Sequence, residues 1–481
     1  MNRENRVMVL PRHDCIGEYA LFAEEITQAD VPVLRNILAN EDRKVTEVIF
    51  SSNEEINFGK SQAHIQKVNF EDLESKLNKT FIPNWVSKPQ NIGKILQGNY
   101  MDMMPITAEF VTTLNCNYRC VQCAYKEPKK SHDVWMKNQK KFSTDMNSTK
   151  HMTSEVMAIT LDRLAEGNVK NILFTGGGEP LMNRETVNGM ARAKANGQTV
   201  ALYSNGRLMD IDTISRLIDI DPLFIRISVY GGNPHSSLSY TQAAKDVKSF
   251  DIVLKNISNL AKEKLNSGSK MNLGLSYIMH PITANYVEDF AKTIAAIDYV
   301  EQINYIRFTP AVDYFHGQQH DKGHMLNAFS QVEKIVRPIL ESKGVDVIPS
   351  YHRLEDLYSK KKYNTCRASG WYVEVAPSGE LFLCCEKHFI PEYKIGDLTK
   401  DDLQTIWLSD ERKSVIQRVN DNKCENCPTL CKPHELNKIF HTIERKREKG
   451  DMPRVKQWVN DLIQHGRTCG YCPKKLDDFQ S

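Results

Sequence analysis

A chain of 481 residues, 41% of them hydrophobic and 26% charged, is long enough for two to four domains with real cores. Its 63 basic residues nearly balance 60 acidic ones, and a net charge of +3 argues against nucleic acid or a membrane surface as the main partner. No segment approaches ~18 uninterrupted apolar residues, and the opening MNRENRVMVLPRHDC lacks a signal peptide's apolar stretch, so no transmembrane helix and a cytoplasmic, reducing location are expected.

That location gives the 12 cysteines their meaning. Three stand at 116, 120 and 123, eight lie between 366 and 472, and only Cys15 is alone. Where thiols stay reduced, such clusters point to metal or catalysis rather than disulfides.

In chain order, residues 1–104 mix short apolar runs (7–10 and 48–50) with a helical stretch near 28–40, which suggests a small α/β appendage. From 105 to 350 the pattern is regular. Strand-like runs at 108–113, 170–175, 198–203, 223–229, 272–279 and 302–308 alternate with helix-like segments at 153–166, 184–196, 211–219, 251–266 and 284–297, and a further helix pattern covers 326–342. Thr153, Ser154 and Glu155 supply start signals for the first helix and Gly167 a stop. Alternation of this kind predicts βα units and a parallel sheet, closed or partly open as a barrel. A lysine-rich run, Lys126, Lys129, Lys130, Lys137, Lys140 and Lys141, reads as a solvated loop. From 351 to 481 turn residues separate short strands and cysteines crowd in, which predicts a metal-supported domain ending in helix near 434–465.

The segment LeuAsnCysAsnTyrArgCysValGlnCys spaces Cys116, Cys120 and Cys123 as C-x3-C-x2-C on the loop after the first strand. Iron–sulfur cubes usually take four thiolates; three would leave one iron open, as catalytic metal sites require. A zinc loop would need a fourth ligand, such as His132 or His151. At the end of the second strand, PheThrGlyGlyGlyGluProLeu places Gly176, Gly177 and Gly178, where backbone can approach a ligand, before the carboxylate of Glu179. The third strand ends in Ser204 and Asn205, and the fourth carries Ser228. Arg226 and Arg307 read either as partners for a ligand carboxylate or as ordinary salt-bridge residues. All these positions fall at C-terminal strand ends, the active face of a β/α barrel.

Together these motifs resemble the radical S-adenosylmethionine (SAM) superfamily over roughly 108–310. The resemblance implies a partial (β/α)6 TIM-like barrel, and a 4Fe–4S cluster on Cys116, Cys120 and Cys123 whose open iron binds SAM. It also implies reductive cleavage of SAM to a 5′-deoxyadenosyl radical, and a reducing partner such as flavodoxin or ferredoxin. It assigns SAM contacts to Gly176, Gly177, Gly178, Glu179, Ser204, Asn205 and Ser228. The residue before the third cysteine is often aromatic in the family; here it is Gln122, which leaves the cluster ligands intact but weakens packing against adenine.

Farther on, Cys366 and Gly379-x4-Cys384 resemble the start of the SPASM/twitch extension, which binds one or two auxiliary 4Fe–4S clusters. Cys424-x2-Cys427-x3-Cys431 and Cys469-x2-Cys472 depart from the full SPASM spacing. The simplest pairing puts Cys366, Cys384, Cys424 and Cys427 on one cluster. Cys431, Cys469 and Cys472, with Cys385 or His434, remain for a second cluster or zinc; spacing does not fix connectivity. Neighbours on a strand face opposite ways, so Cys385 reads as a buried thiol, a ligand, or a hydrogen donor at the barrel mouth. Relatives of this build modify ribosomal peptides by epimerisation or crosslinking, which is the reading favoured from sequence. Its rivals are a dehydrogenase or epimerase of an aminosugar, cyclitol or nucleoside, and a non-catalytic zinc or iron–sulfur scaffold.

Overall fold

In the computed structural model the described residues are 7–11, 18–23, 28–39, 44–50, 52, 55–58, 63–67, 89–125, 151–243, 246, 248–312, 319–387, 390–422, 424 and 427–468. Cys15, Cys469, Cys472, His132 and the lysines between 126 and 141 lie outside them. The chain forms two compact units, Met1–Met103 with Glu435–Ser481, and Met104–His434.

The first unit is built on a four-stranded sheet in the order β1 (Val7–Pro11), β2 (Glu18–Ala23), β3 (Lys44–Phe50), β4 (His64–Lys67). The first pair is antiparallel and the other two are parallel. Leu21, Val48 and Phe50 are buried in its core. The helical stretch expected at the C-terminus is two helices, His434–Glu448 and Met452–Thr468, separated at Gly450, whose φ of +72° suits a left-handed turn that glycine adopts without strain. Arg447 Nη2 donates to Ile95 O and Leu96 O, adding a charged donor to the last carbonyls of helix Pro89–Gln97.

The second unit carries one ten-stranded sheet. Seven parallel strands follow chain order: β5 (Thr107–Phe110), β6 (Asn171–Phe174), β7 (Thr199–Ser204), β8 (Phe224–Ser228), β9 (Asn272–Met279), β10 (Tyr305–Pro310) and β11 (Asp346–Pro349). All six expected strands are present, and β11 is added at the edge. On the far side of β5, β12 (Tyr372–Val375) pairs in parallel, followed by antiparallel β13 (Glu380–Phe382) and β14 (Lys394–Asp397). The fold is α/β: a partial barrel of parallel strands whose sheet runs on into the cysteine-rich segment.

Local chemistry sets the helices between the strands. Thr153 caps Ser154–Glu166 by accepting from Val156 N (3.2 Å), and the chain leaves that helix at Gly167. A Cβ on Gly167 would lie 2.5 Å from Leu403 Cδ2, so this glycine lets helix Leu403–Leu408 seat closely against the first barrel helix. Arg163 Nη1 reinforces the contact by donating to Leu398 O (2.6 Å) and Asp401 O (2.9 Å). Helix Pro234–Thr241, absent from the sequence reading, starts in a capping box between Asn233 and Ser236 with proline at its first position.

Burial alternates along β7 to β10. Leu202, Ile225, Ile227, Leu275, Ile306 and Phe308 are fully buried on one face. Tyr203, Arg226, Ser228, Ser276, Arg307 and Thr309, facing the other way, are half-buried. Side chains of successive strand residues point to opposite faces, so the inward face carries an accessible polar surface.

Candidate active site

The loop after β5 carries Cys116, Cys120 and Cys123. It is held by Arg119 N donating to Thr241 O (2.8 Å) and Val121 N donating to Tyr240 O (2.9 Å), so the unexpected helix Pro234–Thr241 anchors the triplet. Tyr118 N donates to Cys116 Sγ (3.4 Å), and Tyr118 OH bonds Ser249 Oγ (2.8 Å). The phenol of Tyr230 faces all three thiols; burial first, then Cys120, holds its pKa well above the ordinary range, against a hydrogen bond from Ser228. Tyr230 stacks on Tyr240 at 4.9 Å, and Tyr240 meets His280 edge-on at 5.3 Å. His280 in turn meets His320 at 4.8 Å, and Gln122 Nε2 lies 2.6 Å from His320 Nε2. Where the family often has an aromatic, this chain pairs Gln122 with a histidine.

The glycine turn after β6 lies directly on this loop. Gly178 N donates to Thr113 O (2.8 Å) and Glu179 N to Asn115 O (2.9 Å). A Cβ on Gly178 would stand 2.0 Å from Asn115 O, and one on Gly177 2.8 Å from Thr113 O, so side chains are excluded by backbone. Gly176 and Gly177 also have φ of +69° and +62°.

Glu179 is 3% exposed, and its carboxylate accepts from Ser204 Oγ (2.7 Å), Asn205 N (2.7 Å) and Leu181 N (3.2 Å). Burial raises its pKa and these bonds work the other way. Asn205 Nδ2 continues to Asn117 Oδ1 (2.6 Å), inside the cysteine loop. Glu179, Ser204 and Asn205 thus form a buried brace joining three loops, with Ser228 at the end of the next strand.

In the cysteine-rich segment the structure brings Cys366, Cys384, Cys424, Cys427 and Cys431 together. Cys384 faces Cys427 and Cys366, Cys424 bonds Cys427, and Cys431 faces Cys427 and Cys366. Cys424 takes φ +53°, an uncommon conformation for a residue with a Cβ. Cys384 and Cys385 stand beyond β13, which ends at Phe382, so their divergence comes from a short 3-10 turn rather than from strand alternation. Cys385 turns toward Glu109 and Lys432, and burial holds its thiol well above the ordinary range. His434 uses Nδ1 on Tyr363 OH (2.7 Å) and Nε2 toward Asp356 (3.3 Å), while Tyr363 OH reaches Cys431 Sγ at 3.8 Å. His151 contacts Asn115 Nδ2 through its Nε2 (2.7 Å).

Sequence reasoning missed the charges behind these loops. Glu109 on β5 pairs with Lys432 Nζ at 2.5 Å. Burial disfavours the lysine's charge, but Glu109, Tyr203 and Cys385 together outweigh it and lift the pKa. Glu374 stands beside Glu109 in the β12–β5 register, is 0% exposed, and has no hydrogen-bond partner on either oxygen among the described residues. Burial, Glu109 and Glu386 hold its pKa well above the carboxylate range. A lone acid in each apolar run, AEFVTT and YVEV, was the available signal; Lys432 offered none.

The donor sets fit iron–sulfur and SAM chemistry. Three thiols share one anchored loop beside a backbone cradle that a Cβ would fill, and four more gather around Cys427. Comparisons with known proteins agree. The family model described as the radical SAM superfamily matches residues 110–294, and that of an iron–sulfur cluster-binding domain, SPASM, matches 366–428. A dTDP-4-amino-4,6-dideoxy-D-glucose ammonia-lyase of Streptomyces venezuelae is 27% identical over 184 residues, 37% of each chain, so the match spans just over a third of that relative's length. SuiB of Streptococcus suis, solved with S-adenosylmethionine, shares 13% identity at a TM-score of 0.50, covering 75% of this chain and 80% of that one. A second SuiB structure gives 12% identity at the same TM-score and coverage. At such identities the likeness is one of fold.

Proposed function

The chain belongs to the radical SAM superfamily and carries an iron–sulfur SPASM domain, and on that premise we propose that it is an enzyme that abstracts hydrogen from a small polar metabolite, such as an aminosugar, cyclitol or nucleoside. The observation that carries this reading is the half-buried, charged inward face of β7 to β10, which suits a compact polar substrate better than a peptide backbone. The aminosugar substrate named for the Streptomyces relative supports it.

In this reading Cys116, Cys120 and Cys123 hold the catalytic cluster. Gly176, Gly177 and Gly178 let backbone approach SAM, Ser228 contacts it, and Glu179, Ser204 and Asn205 keep the loops in register. When bound, the cluster and SAM supply a one-electron cleavage that generates the hydrogen-abstracting adenosyl species. Cys366, Cys384, Cys424 and Cys427 hold an auxiliary cluster, with Cys431, Cys469 and Cys472 serving a second. A flavodoxin or ferredoxin in the cytosol supplies the electron.

The test is anaerobic reconstitution with iron and sulfide, then dithionite and SAM, with 5′-deoxyadenosine as the readout. Candidate aminosugar nucleotides should stimulate it and be consumed; indifference to all of them, with consumption of a precursor peptide, would sink the small-molecule reading.

A second reading, maturation of a ribosomal peptide by epimerisation or crosslinking, draws on the separate unit of Met1–Met103 and Glu435–Ser481, which the barrel chemistry does not use. A precursor-peptide gene beside this one would favour it, and sugar-transferase neighbours the first. Where the reaction is an epimerisation, in either reading, Cys385, which turns toward Glu109 and Lys432, would return the hydrogen atom to the substrate radical. The Cys385→Ala protein is expected to make 5′-deoxyadenosine but lose product; full turnover would remove that role.

A further inference from the structure

We propose that the inward face of the sheet is a recognition site of two signs, on which Arg226, Arg307 and Arg353 take an anionic group such as a phosphate and Glu374 takes a protonated amine of the same small substrate. This deepens the small-molecule reading above and rests on it.

The basic side is built from two strands and a helix. Arg226 on β8 stacks over the Tyr203 ring at 3.8 Å, Arg307 on β10 donates from Nε to Ser350 Oγ (3.1 Å), and Arg353 comes from helix Tyr351–Leu357. Burial, then Arg226 and Arg353, lowers the Arg307 pKa to about 10, so Arg307 feels both of the other guanidiniums. Buried Arg226 Nη1 and Arg353 Nε have no hydrogen-bond partner among the described residues. Like charges gathered with unspent donors call for an anion, and planar guanidiniums match the oxygens of phosphate. The SAM carboxylate brings one charge, fewer than three arginines can answer.

The acidic side is Glu374. Lys432 already answers Glu109, and Glu386 accepts from Lys432 N at 3.1 Å, which leaves Glu374 as the buried acid with both oxygens unspent. Burial keeps this carboxyl protonated in the free protein, and an incoming ammonium would displace that proton and pair with the carboxylate it leaves, so amine binding releases one proton. The two sides belong to one inward surface: Lys432 faces Tyr203, on which Arg226 stacks, and Arg353 faces Glu386.

The full chain, reconstituted anaerobically and saturated with SAM, would be titrated calorimetrically with glucosamine 6-phosphate and with glucose 6-phosphate as the amine-free control. The wild type is expected to prefer the amine by about tenfold or more. Glu374→Gln should abolish that preference while changing glucose 6-phosphate affinity less than about twofold, and Arg226→Gln should weaken both probes about tenfold. Absence of binding, or an amine preference that survives Glu374→Gln, overturns the site. Turnover of a precursor peptide would instead overturn the small-molecule reading, a separate observation.

Melting supplies a second readout. Glu109, Glu386 and Lys432 face Glu374, with the Tyr125 phenol beside them. The native protein keeps a proton on Glu374 that the unfolded chain releases in the ordinary carboxylate range. Wild-type stability should therefore fall as pH rises from that range toward the native pKa. Glu374→Gln removes this slope and should melt higher at pH 8. Equal melting curves across pH 5 to 8 would overturn the burdened carboxylate, and the site with it.

Discussion

Replacing Cys123 with alanine is expected to abolish 5′-deoxyadenosine formation and to lower the iron of the reconstituted protein by about four atoms per chain. Three thiolates are the fewest that leave one iron open while gripping the rest of a cube, so a second vacancy releases the cluster rather than weakening it. The loop itself should survive. Its anchors, Arg119 N on Thr241 O and Val121 N on Tyr240 O, are backbone bonds that do not involve the Cys123 side chain. The variant should therefore melt like the wild type and keep the auxiliary iron held by the segment around Cys427. Iron analysis and chromatography of the reaction check both halves. Wild-type 5′-deoxyadenosine from the variant would remove the assignment of this triplet.

Gly178→Ala should have nearly as large an effect by a different route. The new methyl would lie 2.0 Å from Asn115 O and 2.5 Å from Asn115 C, and both are backbone atoms that no rotamer change can move. Relief requires the glycine turn to lift off the cysteine loop, which strains the bonds of Gly178 N to Thr113 O and Glu179 N to Asn115 O. Overpacking costs about 1–3 kcal/mol, and each weakened hydrogen bond about 0.5–1.5 kcal/mol more. SAM affinity should fall by tenfold or more while all the iron is retained, because no thiol is touched. Gly197→Ala is the control. It has φ +78° but nothing within 4 Å of its added methyl, so it should cost only backbone strain of about 1–3 kcal/mol and leave SAM binding intact. Undiminished SAM binding by Gly178→Ala would show that the turn does not shape the site.

The motifs were legible because each is a local pattern. Three cysteines within eight positions, a glycine run ending in an acid, and Ser204–Asn205 at a strand end all keep their meaning without a partner. Strands of four to eight residues with strong apolar character were equally visible. What escaped depended on context. β11 is four residues, DVIP, with one fully committed apolar side chain to mark it, Val347. Helix Pro234–Thr241 has little apolar periodicity in PHSSLSYT, although Asn233 and Pro234 spelled out its start. Glu179 read as a SAM contact from its place in the motif, but its three donors come from Leu181, Ser204 and Asn205, and only the fold could bring the last two there. The polar inward surface was hidden for the same reason: Glu109, Arg226, Arg307, Glu374 and Lys432 are far apart in sequence and become neighbours only through strand order.

One pairing has a bearing on how the molecule is made. β5, the strand that launches the cysteine loop, has β6 on one side and β12 on the other. Its second neighbour is Tyr372–Val375, translated after every other parallel strand of the sheet. Until then a nascent chain holds the edge of Thr107–Phe110 bare, with apolar side chains and unpaired amides open to strand addition from another molecule. Contacts this distant in sequence form slowly. Expression should therefore be sensitive to temperature and chaperone supply, and a fragment ending before β12 should aggregate rather than persist as a free barrel. The auxiliary segment is then part of the scaffold that keeps the catalytic strand soluble, and evolution could not discard it as a detachable module without first recapping that edge.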